Sequence, residues 1–216
     1  MIITLKDGSK LEFAQPMSVI DIAAGISEGL ARVACAAEVN GKVVDLRTVI
    51  EEDAQLNILT FDDEAGKAAY RHTTSHVLAE AVKRLYPEAK LAIGPSIDTG
   101  FYYDFDSESF SREDLDKIEA EMKKVIKENA ELEKFTLPRE EAIKFMEERN
   151  EPYKVELIRD LPEDAVISFY KQGEFTDLCA GPHLMKTGVI KAFKLCAFLD
   201  NLLHFFFECI KCISVK

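Results

Sequence analysis

The sequence predicts an α+β fold in two parts, a small strand-rich first region and a larger region with long helices. Short apolar runs flank Asp7-Gly8 and Asn40-Gly41 near the N-terminus, and such dipeptides between apolar runs indicate hairpins. Apolar residues recur at helical spacing in several later segments. A length of 216 residues allows one or two domains, and 47% hydrophobic with 31% charged residues is typical of globular proteins.

The first region alternates short strands with one helix. We expect strands at residues 2–6 and 11–13, then 33–39 and 43–44, and a last strand at 57–61. Ser18 is placed to cap a short amphipathic helix at 19–26, with Asp21 as its partner three positions on. The order ββαββ with a closing strand predicts a small β-grasp (ubiquitin-like) domain over residues 1–62.

The second region contains longer helices among strands. We expect helices at residues 65–85, at 111–130 with Ser111 as the cap, and at 139–149 after Pro138. Extended segments are expected near residues 153–158, 166–170 and 188–194. This predicts an α+β domain with an antiparallel sheet over residues 63–195, followed by a divergent hydrophobic tail at 196–216.

Charge and cysteine content restrict the partners. The net charge of −12 argues against a simple cationic nucleic-acid clamp, although a local basic face can coexist with a negative total. Five cysteines without framework spacing favour a reducing, cytoplasmic location. No signal peptide and no apolar run of membrane-spanning length is visible, so we expect no membrane partner.

Three of the four histidines fall in two short pairs. His72 and His76 share one face of the helix predicted at 65–85, and Cys179 precedes His183 by the same spacing. Together they form a Cys1His3 set of the ligand types that zinc prefers. Each pair alone is more often packing or chance, whereas both together favour one shared site. A zincin protease would need Glu between the histidines, and the deaminase signature is missing.

Longer segments resemble one family. RHTTSHVLAEAVKRLYP, IGPSIDTGFYYDFD, FTDLCAGPHL and TGVIKAFKL resemble the second, editing domain of bacterial-type threonyl-tRNA synthetases, which is related to its alanyl counterpart. The first region resembles their TGS domain, and the match covers about residues 1–195. The resemblance implies hydrolysis of mischarged Ser-tRNA(Thr). Serine lacks only one methyl of threonine, so a synthetic pocket rejects it by only about 1–3 kcal/mol and a second site is needed.

The resemblance also implies roles for particular residues. It assigns catalysis to His72, His76, Lys154, Cys179 and His183. It places Tyr103 near the terminal adenosine, where it could stack, and Asp177 where it could bind the seryl ammonium. Without the resemblance, Tyr103 would be read as core, Lys154 as solvated and Asp177 as a turn cap. The ester is already activated, so no covalent nucleophile is required; Zn²⁺ suits His72, His76, Cys179 and His183 but is not required.

The resemblance ends after Lys194, and the sequence continues into the hydrophobic tail that contains Phe205, Phe206 and Phe207. We therefore expect the aminoacylation core, and the rest of such a synthetase, to be absent from this chain, and the acceptor end of tRNA(Thr) to be its partner. The alternative is a non-catalytic RNA- or protein-binding fragment with a structural His/Cys zinc site.

Overall fold

The computed structural model describes residues 1–200 and 208–213. Its first region contains β1 (Ile2–Leu5), β2 (Lys10–Glu12), β3 (Met17–Ser18), α1 (Val19–Ile26), α2 (Glu28–Val33), β4 (Ala34–Val39), β5 (Lys42–Val44), β6 (Val49–Ile50) and β7 (Ala54–Thr60). Five strands form a sheet in the order β2-β1-β7-β4-β5, with β1 and β7 parallel and the other pairs antiparallel. Val19 and Ile22 of α1 join Ile3 and Leu56 of the sheet in one apolar core, as the β-grasp prediction requires.

The second region contains α3 (Glu64–Leu85), β8 (Lys90–Leu91), β9 (Ser96–Ile97), β10 (Gly100–Phe101), β11 (Asp104–Asp106), α4 (Arg112–Glu128), β12 (Leu132–Thr136), α5 (Arg139–Glu148), α6 (Pro152–Asp160), β13 (Ser168–Gln172), β14 (Phe175–Leu178), a 3-10 turn at Thr187–Val189, β15 (Leu195–Asp200) and β16 (Glu208–Ile213). One antiparallel sheet has the order β8-β11-β16-β10-β9, with β15 beside β16. A second antiparallel sheet has the order β12-β13-β14. The predicted α+β class is confirmed.

Helix α3 is the central element of the second region. Every residue from Thr73 to Val82 is buried, so this helix is enclosed rather than lying on a surface. Its first turn packs tightly against the end of β7, because a Cβ on Gly66 would lie 1.8 Å from the Thr60 carbonyl oxygen. Only glycine fits this close approach, which fixes where α3 leaves the first sheet.

Two predictions of local structure were wrong, and one helix was missed. Residues 153–158 belong to helix α6 rather than to a strand, and Pro152 opens that helix at its first turn. Val155 and Ile158 of α6 pack into a shared core with helix α5, so tertiary packing outweighs their strand propensity. Residues 188–194 form the end of the 3-10 turn and irregular chain, with a strand beginning only at Leu195. Helix α2 was not predicted.

Part of the predicted tail forms strands. Strand β15 runs into it from Leu195, and β16 pairs with β10 and β11 as well as with β15. Phe205, Phe206 and Phe207 of the predicted hydrophobic tail lie outside the described residues. Within the described ranges, no helix combines the length and the apolar character needed to cross a membrane.

Candidate active site

Helix α3 supplies one half of the candidate site. His72 and His76 lie one turn apart, and their ring centroids are 5.3 Å apart in an edge-to-face arrangement. His76 is 2% exposed, whereas His72 is only partly buried and lies nearer the surface. The Ser75 hydroxyl donates to the Gly94 carbonyl, which ties this turn of α3 to the loop after β8.

An irregular segment after β14 supplies the other half. We call residues 179–185 the strap. The Cys179 amide donates to the Ser168 carbonyl at 3.0 Å, and the Ser168 hydroxyl returns a bond to the Cys179 carbonyl at 2.6 Å. Gly181 has φ +80, and a Cβ there would lie 2.2 Å from the Tyr170 hydroxyl oxygen. The strap therefore needs glycine at this turn, both for its backbone angle and for its contact with β13.

The two halves converge, although about one hundred residues separate them. Cys179 Sγ lies 3.4 Å from His72 Nε2 and 3.1 Å from His183 Nε2. The His183 ring centroid is 4.2 Å from each of the other two rings. One ligand atom from each of the four residues falls within 4.8 Å of all the others. The structure therefore brings both sequence-predicted pairs into one cluster.

Thr73 sets the orientation of His183. Its hydroxyl donates to the Ala69 carbonyl one turn earlier at 2.9 Å, and it lies 3.1 Å from His183 Nδ1. Because the bond to Ala69 uses the single hydroxyl hydrogen, we assign the proton of the second contact to His183 Nδ1. His183 Nε2 then presents its lone pair to Cys179. This tautomer follows from the hydrogen-bond pattern around Thr73.

Burial keeps the cluster uncharged. It lowers the pKa of His76 to about 3 and the pKa of His183 well below its usual range. Burial also lowers the pKa of His72, against the opposing charge of Asp177. The Cys179 thiol moves the other way, since burial raises its pKa to about 12. At neutral pH the site thus offers three neutral imidazoles and a protonated thiol.

A buried charged network lies behind His76. Lys154 Nζ is 2.7 Å from Asp177 Oδ1 and donates to the Tyr103 hydroxyl at 3.0 Å, and that hydroxyl donates to Asp177 Oδ2 at 2.6 Å. His76 Nε2 is 3.7 Å from Asp177 Oδ2. Burial alone would raise the pKa of Asp177. The charge of Lys154, the electrostatic effect of His76 and the hydrogen bonds from Lys154 and Tyr103 lower that pKa below its usual value. The carboxylate therefore stays ionised, facing the Lys154 ammonium.

Two of the roles implied by the resemblance do not match this arrangement. Tyr103 is fully buried, with its ring stacked on Phe105 at 4.9 Å and with the backbone of Gly94 against its edge, so no face is open to a base. Asp177 is 2% exposed and both of its oxygens are engaged by Lys154 and Tyr103. Neither side chain is open here to an adenosine or to a seryl ammonium.

The cluster fits a zinc ion by its donors. Zinc bond lengths at a tetrahedral angle place sulfur and nitrogen ligands about 3.5 Å apart, close to the 3.1 and 3.4 Å measured around Cys179. The thiol has one hydrogen but faces two imidazole nitrogens, and His76 Nδ1 is buried without a hydrogen-bond partner. A cation would satisfy these atoms together. His72, His76, Cys179 and His183 would hold it.

Residues of the first region also reach the site, which sequence reasoning missed. Asp45 Oδ2 accepts from the Tyr170 hydroxyl at 2.8 Å and from the His183 amide at 3.3 Å. Arg47 donates to carbonyls of the strap. No local pattern could have shown this, because more than 120 residues separate Asp45 from either partner. Thr73, between the two histidines of α3, could have been suspected from its place in the motif.

Comparisons with known proteins agree with this architecture. The model of the TGS domain matches residues 1–60. The model described as the threonyl and alanyl tRNA synthetase second additional domain matches residues 167–197, which include the strap and its two site residues. The chain thus combines a TGS domain with a segment of this second additional domain.

Curated relatives give the closer comparison. The chain is 71% identical over 194 residues to a threonine–tRNA ligase of Acetivibrio thermocellus, covering 89% of this chain and 31% of the relative. It is 64% identical over 194 residues to one of Clostridium botulinum and 62% over 196 residues to one of Caldanaerobacter subterraneus, with similar coverage. The chain is therefore similar to the N-terminal region of threonine–tRNA ligases, which confirms the predicted resemblance. It spans about 31% of the length of the first of these relatives.

Proposed function

We propose that this chain hydrolyses the ester of mischarged Ser-tRNA(Thr), acting as an editing module. The observation that supports this proposal most strongly is the convergence of His72, His76, Cys179 and His183 around one point. Polar groups are costly to bury, and a cluster of neutral, hydrogen-bonding side chains next to an ion pair is typical of a site that does chemistry.

The proposed reaction needs one water and a base. Water attacks the ester carbonyl and its proton passes to an imidazole. The bond from the carbonyl carbon to the ribose oxygen then breaks, the imidazolium returns the proton to that oxygen, and the tRNA leaves with a free hydroxyl on its 3′-terminal ribose. His72 is the proposed base, because it is neutral and lies nearer the surface than His76 and His183. Cys179 is also partly buried and lies beside it, with Sγ 3.4 Å from His72 Nε2. Asp177 is paired with Lys154 and lies 3.7 Å from His76 Nε2, and the proposed role of this ion pair is to orient His76 and, through it, the water.

Discrimination depends on one methyl group. The two charged tRNAs share the nucleic acid and the ester, so the side-chain pocket alone distinguishes them. A clash between the threonyl methyl and the packed imidazoles would misalign the carbonyl with the water, and each 1.36 kcal/mol of barrier is about tenfold in rate.

The test is deacylation of Ser-tRNA(Thr) and Thr-tRNA(Thr), side by side, by the same preparation. We expect the seryl ester to be hydrolysed and the threonyl ester to survive. Equal rates on both esters, or no rate above the spontaneous one on either, would refute the editing proposal.

The four ligands also support a second candidate, a non-catalytic RNA- or protein-binding fragment with a structural zinc site. Bound zinc would polarise a water or a carbonyl, or would simply hold the strap to α3. For the editing enzyme we expect a chelator to leave the seryl rate unchanged. Unfolding on chelation, measured by circular dichroism, together with absent deacylation, would favour the structural module instead.

The proposed partner is the acceptor end of tRNA(Thr), since the chain resembles enzymes named as ligases of threonine and tRNA. Neither region is basic overall, so we infer that contacts are confined to a local surface near the site. The cysteines at positions 35, 179 and 196 are free, which suits the proposed cytoplasmic location.

A further inference from the structure

We infer that Asp45 and Arg47 of the TGS domain are positioning residues for the candidate active site, so that the first domain forms part of its scaffold. The inference rests on the proposed function for its kinetic consequence. Its structural part concerns the place of His183 and stands on hydrogen bonds alone.

Asp45 joins three elements at one carboxylate. Its Oδ2 accepts from the Tyr170 hydroxyl of β13 and from the backbone amide of His183, while its Oδ1 accepts from the Arg47 amide at 2.9 Å. Asp45 is 6% exposed. A buried carboxylate is stable only when donors surround it, so these donors are fixed around it. The His183 backbone is therefore held at a set place relative to β13.

Arg47 holds the other side of the strap. One nitrogen of its guanidinium, Nη1, pairs with Asp45 Oδ1 at 2.8 Å, and the other, Nη2, donates to the carbonyls of Leu184 and Met185 at 2.9 and 3.0 Å. The strap has no regular secondary structure, so these carbonyls depend on donors from elsewhere in the fold. A planar guanidinium supplies several donors at fixed angles, which lysine cannot do.

These contacts bear on chemistry because they act on His183 itself. The Tyr170 ring packs against the His183 ring with centroids 4.4 Å apart, and the Tyr170 hydroxyl meets Gly181 at the turn of the strap. A change at Asp45 would thus move both the backbone and the ring contact of His183. A shift of about 1 Å in such a group can cost about a hundredfold in rate.

The test uses Asp45→Asn in the whole chain, with Asp53→Asn as the matched control. Asp53 lies in the same domain, is exposed to solvent and is far from the strap in sequence. Its carboxylate accepts one hydrogen bond, from the Ile2 amide at 2.7 Å. In Asp45→Asn an amide group replaces one oxygen, so at least one pair of donors loses its acceptor. Two readouts are measured: steady-state deacylation of Ser-tRNA(Thr), and the imidazole ¹⁵N chemical shifts, which are tractable with four histidines in the chain.

We expect Asp45→Asn to lower kcat about ten- to a hundredfold with KM within about twofold, and to shift the His183 nitrogen resonances. Asp53→Asn should change neither. Tyr170→Phe removes the same bond from the other side, so it tests the inference even if Asp45→Asn fails to fold. Wild-type kinetics and unmoved His183 resonances in a folded Asp45→Asn or Tyr170→Phe would overturn the inference. An inactive wild type would refute the proposed function, while the resonances would still decide the role of Asp45.

Discussion

The two regions of the molecule differ in what they bury. Among the described residues, fifteen polar or charged side chains are buried, and only Asp45 belongs to the first sixty residues. The first region has an otherwise apolar core formed by residues such as Ile3, Ile22 and Leu56. The second region encloses histidines, carboxylates and a lysine inside its fold.

This difference distinguishes residues that are buried for stability from residues that are buried for a proposed chemical role. Burying polar groups costs stability unless they are paired, so a fold that keeps many of them departs from what stability alone would select. In the second region four of them lie in or beside the candidate site: His76, Lys154, Asp177 and His183. Others, such as Glu119 and Glu121, form ion pairs on α4 instead. The exception in the first region, Asp45, is the residue that reaches the same site. The contrast therefore points to the candidate site, which residues of both regions contact.

The largest effect should come from Lys154→Met. This change leaves the Asp177 carboxylate buried without its cation, and breaking one partner of a buried pair costs about 3–5 kcal/mol in the free energy of unfolding. Lys154 and Asp177 are 3% and 2% exposed at their side chains. Chemical denaturation with circular dichroism measures the loss.

The matched control is Lys67→Met, which removes an exposed ion pair with Glu64. Exposed pairs contribute about 0–1 kcal/mol, so this variant should stay close to the wild type. Similar losses in the two variants would mean that the buried pair has no special energetic role, and the contrast between the regions would fail.

His72→Ala should damage activity more than stability. His72 is only partly buried, so its removal leaves a small cavity, but the proposed reaction loses its base. We expect Ser-tRNA(Thr) hydrolysis to fall about a hundredfold or more, which is about 2.7 kcal/mol of barrier. Lys67→Met serves again as the control with unchanged rate. A wild-type rate in His72→Ala would remove His72 from the mechanism and leave the editing proposal itself standing.

Acid should weaken the second region before the first. Burial lowers the pKa of His76 to about 3 from 6.5, so the unfolded chain binds this proton first as the pH falls. The free energy of unfolding therefore has its full value above pH 6.5 and declines as the pH falls from 6.5 to 3. His76 alone accounts for a loss of about 2 kcal/mol near pH 5. All four histidines follow residue 71.

Hydrogen exchange on chelator-treated protein checks this prediction at pH 7 and near pH 5. After correction for intrinsic rates, the opening free energies of amides in α3 and β13 should be lower near pH 5 than at pH 7. Those of amides in β1 and β7 should stay unchanged. An equal fall in both sets would show that the whole chain opens as one unit, and that buried histidines do not set the weaker region.

The sequence predicted the parts of this arrangement that depend on local spacing. His72 and His76 lie on one helical face because four residues make about one turn. The capped helix after Ser111 was predicted from local signals in the same way. In α6, Val155 and Ile158 have high strand propensity and agree with the extended segment that was predicted. Pro152 indicates the first turn of a helix, which is what the structure shows.

What could not be predicted depends on contacts between distant segments. The closeness of Cys179 to His72 was expected from the family resemblance, while the spacing of each pair only favoured a shared site. The burial of Tyr103 and Asp177 depends on how β11, α6 and β14 pack, which no periodicity encodes. The contact of Asp45 with the strap joins two regions that a sequence divides into separate domains.

Substitutions at helix caps should give the smallest effect. They also provide a control for the comparison between the two regions. Ser18 caps α1 in the first region and Ser111 caps α4 in the second, each accepting one backbone bond three residues on, at 3.2 and 3.3 Å. In both cases the hydroxyl also donates to the aspartate at that third position, Asp21 or Asp114. The hydroxyl makes the same two bonds at both caps. At α4 the Ser111 amide also donates to Asp114, and this backbone bond does not depend on the hydroxyl. Replacing either serine by alanine should therefore cost about 1 kcal/mol in the free energy of unfolding, with the two losses within about 0.5 kcal/mol of each other.

Neither change should alter Ser-tRNA(Thr) hydrolysis, because neither hydroxyl contacts the strap or α3. Denaturant titrations of both variants, with deacylation rates in parallel, measure this. A much larger loss in Ser111→Ala would show that the second region is fragile in general, and the Lys154 result could then no longer be attributed to its buried charges.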